Sequence, residues 1–478
     1  MTAIVQSIAH SMVASEGALL PARNQMALSL GAHIILACFG MSLPAMIFVQ
    51  HRLGLRGDPH ALELAKRWSK VAGVLFALGA ISGTILSFEL GLLWPGLMER
   101  YGDVVGLAFA FEGISFFIEA IFLGIYVYGW GRLPGRAHSL MLIPMIISGI
   151  AGSFFVVSVN AWMNAPTGFT IIGDPVTGAV VDIDPWRAMF NDAVALQFLH
   201  MFLAAYMVVG FSVAGVYAAG MLRGRNDRHH RLGLIVPLLF AAVATPLQPM
   251  VGHFAGQRIA DDQPIKLAAM EGIATTEEGA PLVLGGVYRD GELQWGLELP
   301  LGGLTSFLAQ NDFGAEVIGL DSVPEQDQPP VNIVRFAFQI MVGLGTALVG
   351  LIGWAGWRFA RRPGQFFDAT WFLRALVVAG PAAVVAMETG WITTEVGRQP
   401  WIVHGLLRTE DAVTDASYIW VTLTALVIVY VGMGAAAFQV LRSMSRRWAA
   451  GEHNLASPYG PAALDDVPLP GDREGLVP

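Results

Sequence analysis

The stretch "AFEGISFFIEAIFLGIYVYGW" (110–130) decides how this chain is read, because it is apolar over a bilayer-crossing length yet holds two glutamates, Glu112 and Glu119. A run this long and this poor in other charge reads as a transmembrane helix. Seven residues are nearly two turns, so both carboxyls stand on one helix face, roughly 10 Å apart along the axis. Ionisable groups at such depth are costly, and they line a cavity, an ion path or a cofactor.

Composition agrees with a membrane setting. Of 478 residues, 54% are hydrophobic and only 14% charged, against about 25% charged in a soluble domain. The fold class is therefore an all-α integral membrane protein. Apolar runs long enough to span occur at 26–49, 68–91, 104–130, 139–162, 194–221, 232–250, 332–357, 369–394 and 416–441, which makes nine transmembrane helices. Residues 1–25 lack a basic n-region and a small-residue cleavage site, so they read as an amphipathic lead-in and not a removable signal. Helices one to six then occupy 26–250, and helices seven to nine occupy 332–441. Between them, 251–331 is the only long extramembrane segment; its Gly, Pro, acids and short apolar runs suggest a small folded loop. The tail, 442–478, ends in "LDDVPLPGDREGLVP", which reads as disordered. The loop 166–192 is polar and turn-rich. A net charge of −9 says little, since the acids lie mainly in loops and tail. The single cysteine, Cys38, excludes internal disulfides, cysteine-ligated iron–sulfur clusters and a covalent CxxCH haem.

Basic loops set the orientation. Arg52, Arg56, Lys66 and Arg67 follow the first helix, and Arg132 and Arg136 the third. Arg223, Arg225, Arg228 and Arg231 follow the fifth, Arg358, Arg361 and Arg362 the seventh, and Arg442, Arg446 and Arg447 the ninth. By the positive-inside rule these loops are cytoplasmic, which puts the N-terminus and the 251–331 loop outside and the C-terminus inside.

Of eleven histidines, only His33 and His200 fall well inside apolar helices. With this orientation His33, Glu112, His200 and Met341 lie in the outer half of the membrane, beside Glu388 and Glu395 at the outer end of helix eight and Glu89 at that of helix two. Each has a bland reading. A lone intramembrane His can simply bond a neighbouring helix, and a helical Met is packing far more often than ligation. Paired glutamates also suit a transporter's proton relay. A His and a Met from two helices can alternatively hold a low-spin haem. Composition does not choose among these.

Motifs do. "GAHIILA" with His33, "FEGISFFIEA", "NAWMNAPTG", "LQFLHMF" with His200, "QPIKLAAMEG", "FAFQIMVGLG" with Met341 and "METGWITTEVGRQPW" (387–401) together resemble subunit I of the cytochrome bd-type quinol oxidases. Order, helix number and topology agree along essentially the whole chain. The resemblance implies His200 and Met341 as axial ligands of a low-spin b haem, and His33 as ligand of one high-spin haem. It assigns Glu395, or alternatively Glu112, to the other high-spin haem, and leaves open which of the two binds oxygen. Lys266 and Glu271 match quinol-site residues. Glu112 and Glu119 match acids on a proton route to the oxygen-reducing site. Trp391 falls among the cofactor-binding residues, and Arg398 faces a haem propionate, a pairing that guanidinium geometry favours.

The implied cofactors are two b-type haems plus a third, d or b. The implied partners are quinol (ubiquinol in preference to menaquinol), O2, an oxidase subunit II and one or more small single-helix subunits, with no nucleic acid. The implied activity is quinol oxidation on the outer side and O2 reduction to water with cytoplasmic protons, building proton motive force without pumping, in the bacterial cytoplasmic (inner) membrane.

Two departures stand out. Gln339 replaces an arginine common just before the low-spin Met, which leaves that region short of charge. Glu89 replaces a frequent Gln, and together with the short outer loop this points to the cyanide-insensitive branch. A haem–copper oxidase and a four-histidine dihaem cytochrome b are excluded, since only His33 and His200 are available within helices. The remaining alternative is a proton-coupled transporter using Glu112, Glu119 and Glu388; the internal repeats it calls for are not visible.

Overall fold

The computed structural model describes residues 2–450, with side chains from residue 17 onward. The side chains of the first sixteen residues of the expected amphipathic lead-in, and the tail beyond 450, lie outside what is described. Among the described residues nine helices are long and apolar enough to cross a membrane. We number the helices used below α1 (Thr2–Gly54), α2 (Pro59–Leu93), α3 (Pro95–Tyr128), α4 (Leu142–Asn164), α5 (Val194–Leu222), α6 (Arg228–Asp262), the short α7 (Pro264–Glu271), α8 (Val331–Arg361), α9 (Thr370–Val396) and α10 (Ile419–Ala449).

Cross-links at the helix ends show that successive spans alternate in direction. At one end Gln25 donates to the Ile419 carbonyl (3.2 Å), Thr414 N–H to Leu93 O (2.9 Å) and Gln263 to Asn164 O (2.6 Å). At the other, Gln50 donates to Leu232 O (3.1 Å), Arg228 Nε to Asp58 (2.8 Å) and Asn226 to Asp368 (3.1 Å). The first end carries the 263–330 segment and is called the loop end here; the second is the arginine end.

Several helices outrun their apolar stretches, α3 and α6 among them. α3 starts at Pro95 and not near 104, and α6 continues to Asp262 and not 250, through Pro237, Pro246 and Pro249. An interior proline removes a hydrogen bond and costs about 3 kcal/mol. α6 nevertheless persists because it packs along α5 and because Arg258 pairs with Asp262 one turn on (2.6 Å). Hydropathy marks where a helix meets lipid, not where its backbone bonds stop.

The main core lies between α1, α2, α5, α6 and α9, around Met41, Leu64, Phe211, Leu234, Phe372 and Leu376. α5 and α9 approach closely through small residues: a Cβ on Gly380 would meet Ser212 Cα at 2.9 Å, and one on Gly215 would meet Leu376 O at 2.8 Å. A second core at the loop end joins α3 and α4 around Tyr101, Trp162 and Val403. The 263–330 segment has its own core, where Leu267, Ala268 and Met270 of α7 pack with Leu320 and Val334. It also holds a hairpin, β1 (Val283–Arg289) with β2 (Glu292–Glu298). Asp290 and Gly291 make its turn at φ 53° and 82°, the left-handed pair that suits a two-residue hairpin loop.

Candidate functional site

His200 sits two turns into α5 and faces α6. A Cβ on Gly252 would lie 3.2 Å from His200 Cε1, so a larger residue there would crowd the ring. The Gln248 amide lies 3.2 Å from His200 Nε2, while His200 Nδ1 and Gln248 Oε1 are buried without a partner among the described residues. Met341 faces α9, where a Cβ on Gly390 would fall 2.9 Å from its sulfur. α5 packs on α6 and α9, and α8 packs on α6 and α9, so His200 and Met341 belong to one four-helix group. Trp391, next to Gly390, is half-buried against the same core. An orphaned imidazole nitrogen and two glycine clearings fit a planar group ligated between these helices.

His33 Nδ1 lies 2.9 Å from Ser82 Oγ, and Ser82 Oγ donates its single proton to Gly79 O (3.1 Å). With the Ser82 proton on Gly79 O, the hydroxyl accepts from Nδ1–H, the tautomer that leaves the Nε2 lone pair free. Bonding through the second ring nitrogen is what orients a metal-ligating histidine. A Cβ on Gly83 would meet the ring at 2.9 Å. Glu119 lies over Gly40 and Gly149, whose Cβ atoms would be 3.3 and 3.6 Å from its oxygens. Because α1 and α3 run in the same direction, stepping back seven residues on each puts Glu112 level with His33. Glu119 borders a small, partly open space of about 10 Å³ between Gly40, Pro44, Ala72 and Met145, on the threshold of what one water needs. Its Oε1 has no partner, nor have Glu388 Oε1 and both oxygens of Glu89, among the described residues.

Glu395 is held on both sides: Asn160 Nδ2 donates to Oε1, and Arg398 Nη2 donates to Oε2 at 2.7 Å. Arg398 is 3% exposed, and its Nε and Nη1 are buried without a partner among the described residues, which fits an anionic group such as a propionate. Lys266 Nζ donates to Asn164 Oδ1 at 2.7 Å. Burial, then the neighbouring Arg398 cation, pulls the Lys266 amine down to about 7, against a smaller opposing pull from Glu395. Burial pushes the Glu271 carboxyl up to about 7, moderated by Arg335. No ion pair joins Lys266 to Glu271 among the described residues. Five positions along a helix turn the second side chain well off the face of the first.

Arg335 and the two asparagines are residues that sequence reasoning passed over. Arg335 is fully buried and donates to the Glu271 carbonyl, to Val283 O (2.8 Å) and to Gly285 O (2.6 Å). The region before Met341 therefore does not lack a cation; it sits six residues upstream and not at Gln339. Gln339 instead accepts from Gly285 N–H (2.8 Å) and donates to Val283 O (3.0 Å), so both side chains clamp the hairpin to α8. Arg335 opens its span, where a sequence reader sees an ordinary interface arginine. Asn160 and Asn164 stand in the motif "NAWMNAPTG", and their i, i+4 spacing was the available signal. Arg335→Leu should strand buried carbonyls at about 1–3 kcal/mol each. Limited proteolysis between 272 and 303 should accelerate while helical circular dichroism is kept; unchanged proteolysis would show that the clamp is dispensable.

At the arginine end His60, Glu63 and His229 also converge, but Arg67 already bonds both Glu63 and His229 Nε2, the latter at 3.4 Å.

The model of the family described as cytochrome bd terminal oxidase subunit I matches residues 21–448. The chain belongs to that family. It is similar to the putative cytochrome bd menaquinol oxidase subunit I of Bacillus subtilis (strain 168), 36% identical over 88% of this chain and 95% of the relative. It also resembles the cytochrome bd-II ubiquinol oxidase subunit 1 of Escherichia coli (strain K12), 25% identical over 73% and 80%. The structure of bd oxidase from Geobacillus thermodenitrificans superposes with a TM-score of 0.83 at 35% identity, covering 90% of this chain and 98% of that one. As a bd oxidase subunit I, the chain is a haem-carrying, multi-pass oxidoreductase of the bacterial cytoplasmic membrane and its respiratory chain. The transporter reading finds no support.

Proposed function

We propose that this subunit takes electrons from quinol at its loop end, which faces outward, and delivers them to O2 with protons drawn from the cytoplasmic arginine end. The arginine-rich short loops support that orientation. The observation that carries the reading is the gathering of His33, His200, Met341, Glu112, Glu388 and Glu395 in the half of the bundle capped by Lys266 and Glu271. Haem supplies the one-electron and oxygen chemistry when bound. We assign His200 and Met341 to a low-spin b haem, His33 to one high-spin haem, and Glu395, or else Glu112, to the other. Arg398 would pair with a propionate and Trp391 would pack on the cofactors. This makes two b haems and a third, d or b.

Glu119 and Glu112 hold protons along one face of α3 toward the reducing site, so charge separation needs no pump. Exposed apolar faces, such as Val421, Ile428 and Val431 on α10, suit a subunit II, small single-helix subunits, or lipid. The short loop and Glu89 favour the cyanide-insensitive branch; cyanide titration of turnover checks this. The sequence reading prefers ubiquinol, whereas the name of the 36% identical relative carries menaquinol. Turnover with each quinol decides between them.

At the loop, Lys266 and Glu271 accept the protons that quinol releases. The accepting forms are the neutral amine and the carboxylate, and both are populated above about 7. Quinol-driven kcat/KM should therefore rise as pH passes through about 7. Lys266→Ala and Glu271→Ala should each impair quinol turnover while haem content stays whole. Unchanged quinol kinetics in both variants would leave the loop a structural lid.

A further inference from the structure

Taking Lys266 as a quinol-site residue, we propose that Asn164 and Asn160 are positioning residues that tie this lysine to Glu395, so that quinol binding and the surroundings of Glu395 are coupled through two side-chain amides.

The hydrogen bonds fix a direction. An ammonium can only donate, so the Asn164 atom facing Lys266 Nζ at 2.7 Å is the amide oxygen. Its nitrogen must then point away, and it donates to Asn160 O (2.8 Å) and Asn160 Oδ1 (3.3 Å). Asn160 Nδ2 in turn donates to Glu395 Oε1, and Arg398 closes the other oxygen. Every donor points from the cation toward the carboxylate, and aligned amides of this kind strengthen one another.

The chain is also locked in place. Asn164 is 3% exposed and Lys266 4%. Gln263, which leads into α7, donates to both Asn164 O (2.6 Å) and Asn164 Oδ1 (3.0 Å), so the loop helix docks on α4 through this one asparagine. The lysine stem crosses Gly397, where a Cβ would lie 3.0 Å from Lys266 Cγ. Gly397 stands between Glu395 and Arg398, so the lysine stem packs directly against that segment.

The test compares Asn164→Leu, Asn164→Asp, Asn160→Leu and Lys266→Ala in the whole oxidase complex. Asn164→Leu should raise quinol KM about tenfold, the effect of one lost hydrogen bond to a charged group, with a smaller change in kcat. Asn164→Asp keeps the acceptor for Lys266 and should recover most of that KM. It loses the donor to Asn160, so together with Asn160→Leu it should shift the high-spin band of the dithionite-reduced spectrum, a readout independent of turnover. Wild-type KM in Asn164→Leu beside a raised KM in Lys266→Ala would overturn the positioning role. An unmoved high-spin band in Asn160→Leu would overturn the link to Glu395. Wild-type KM in Lys266→Ala itself would remove the quinol reading of the loop, and this proposal with it.

Discussion

His200→Ala is expected to abolish the low-spin b haem, and Met341→Leu to convert it away from low spin with the fold intact. The imidazole is the stronger ligand, and its removal also opens a cavity between α5 and α6 worth on the order of 2–4 kcal/mol. Gly252 was already cleared for the ring, so no side chain stands ready to refill that space. Leucine at 341 nearly conserves volume and should cost less than about 1.5 kcal/mol, but it has no sulfur lone pair to offer. Reduced-minus-oxidised spectra of both variants check the pair. An unchanged low-spin band in Met341→Leu would remove the sulfur from the assignment.

Glu119→Gln is expected to slow oxygen reduction about a hundredfold, the scale of losing one positioned proton carrier, without loss of haem. Glutamine keeps the shape and the contacts over Gly40 and Gly149 but carries no exchangeable carboxyl proton. Glu119 lies two turns nearer the arginine end than Glu112, so protons drawn from that end reach it first. Glu112→Gln should slow turnover too and should in addition perturb a high-spin haem, because the acid lies level with His33. Haem content measured beside oxygen consumption separates the two roles. Full turnover in Glu119→Gln would make that acid a packing residue.

Much of the fold was legible because a bilayer forces each span into one long apolar helix, and nine runs gave nine such helices among the described residues. The helix ends were not legible. α3 and α6 continue through polar turns that hydropathy does not score, held by packing on neighbours and by the Arg258–Asp262 pair. The candidate site divides in the same way. His33, His200 and the α3 glutamates stand out because such groups are expensive in an apolar helix. Gly252, Gly390 and Ser82 matter only through the side chain each one faces, and pairwise contact between distant helices leaves no local mark. Asn160 and Asn164 look like ordinary helix-end amides until Lys266 and Glu395 are found on either side of them. Lys266 and Glu271, read together as a pair, turn out to have separate neighbours, Asn164 for one and the Arg335 side of α8 for the other.

The most direct test is an absorption difference spectrum of the purified complex with quinol as the only reductant. The account predicts a red protein in which quinol develops a low-spin b band together with high-spin haem bands, and in which Lys266→Ala slows that reduction while dithionite still completes it. A colourless preparation, or haem bands that quinol never develops while dithionite does, would contradict it.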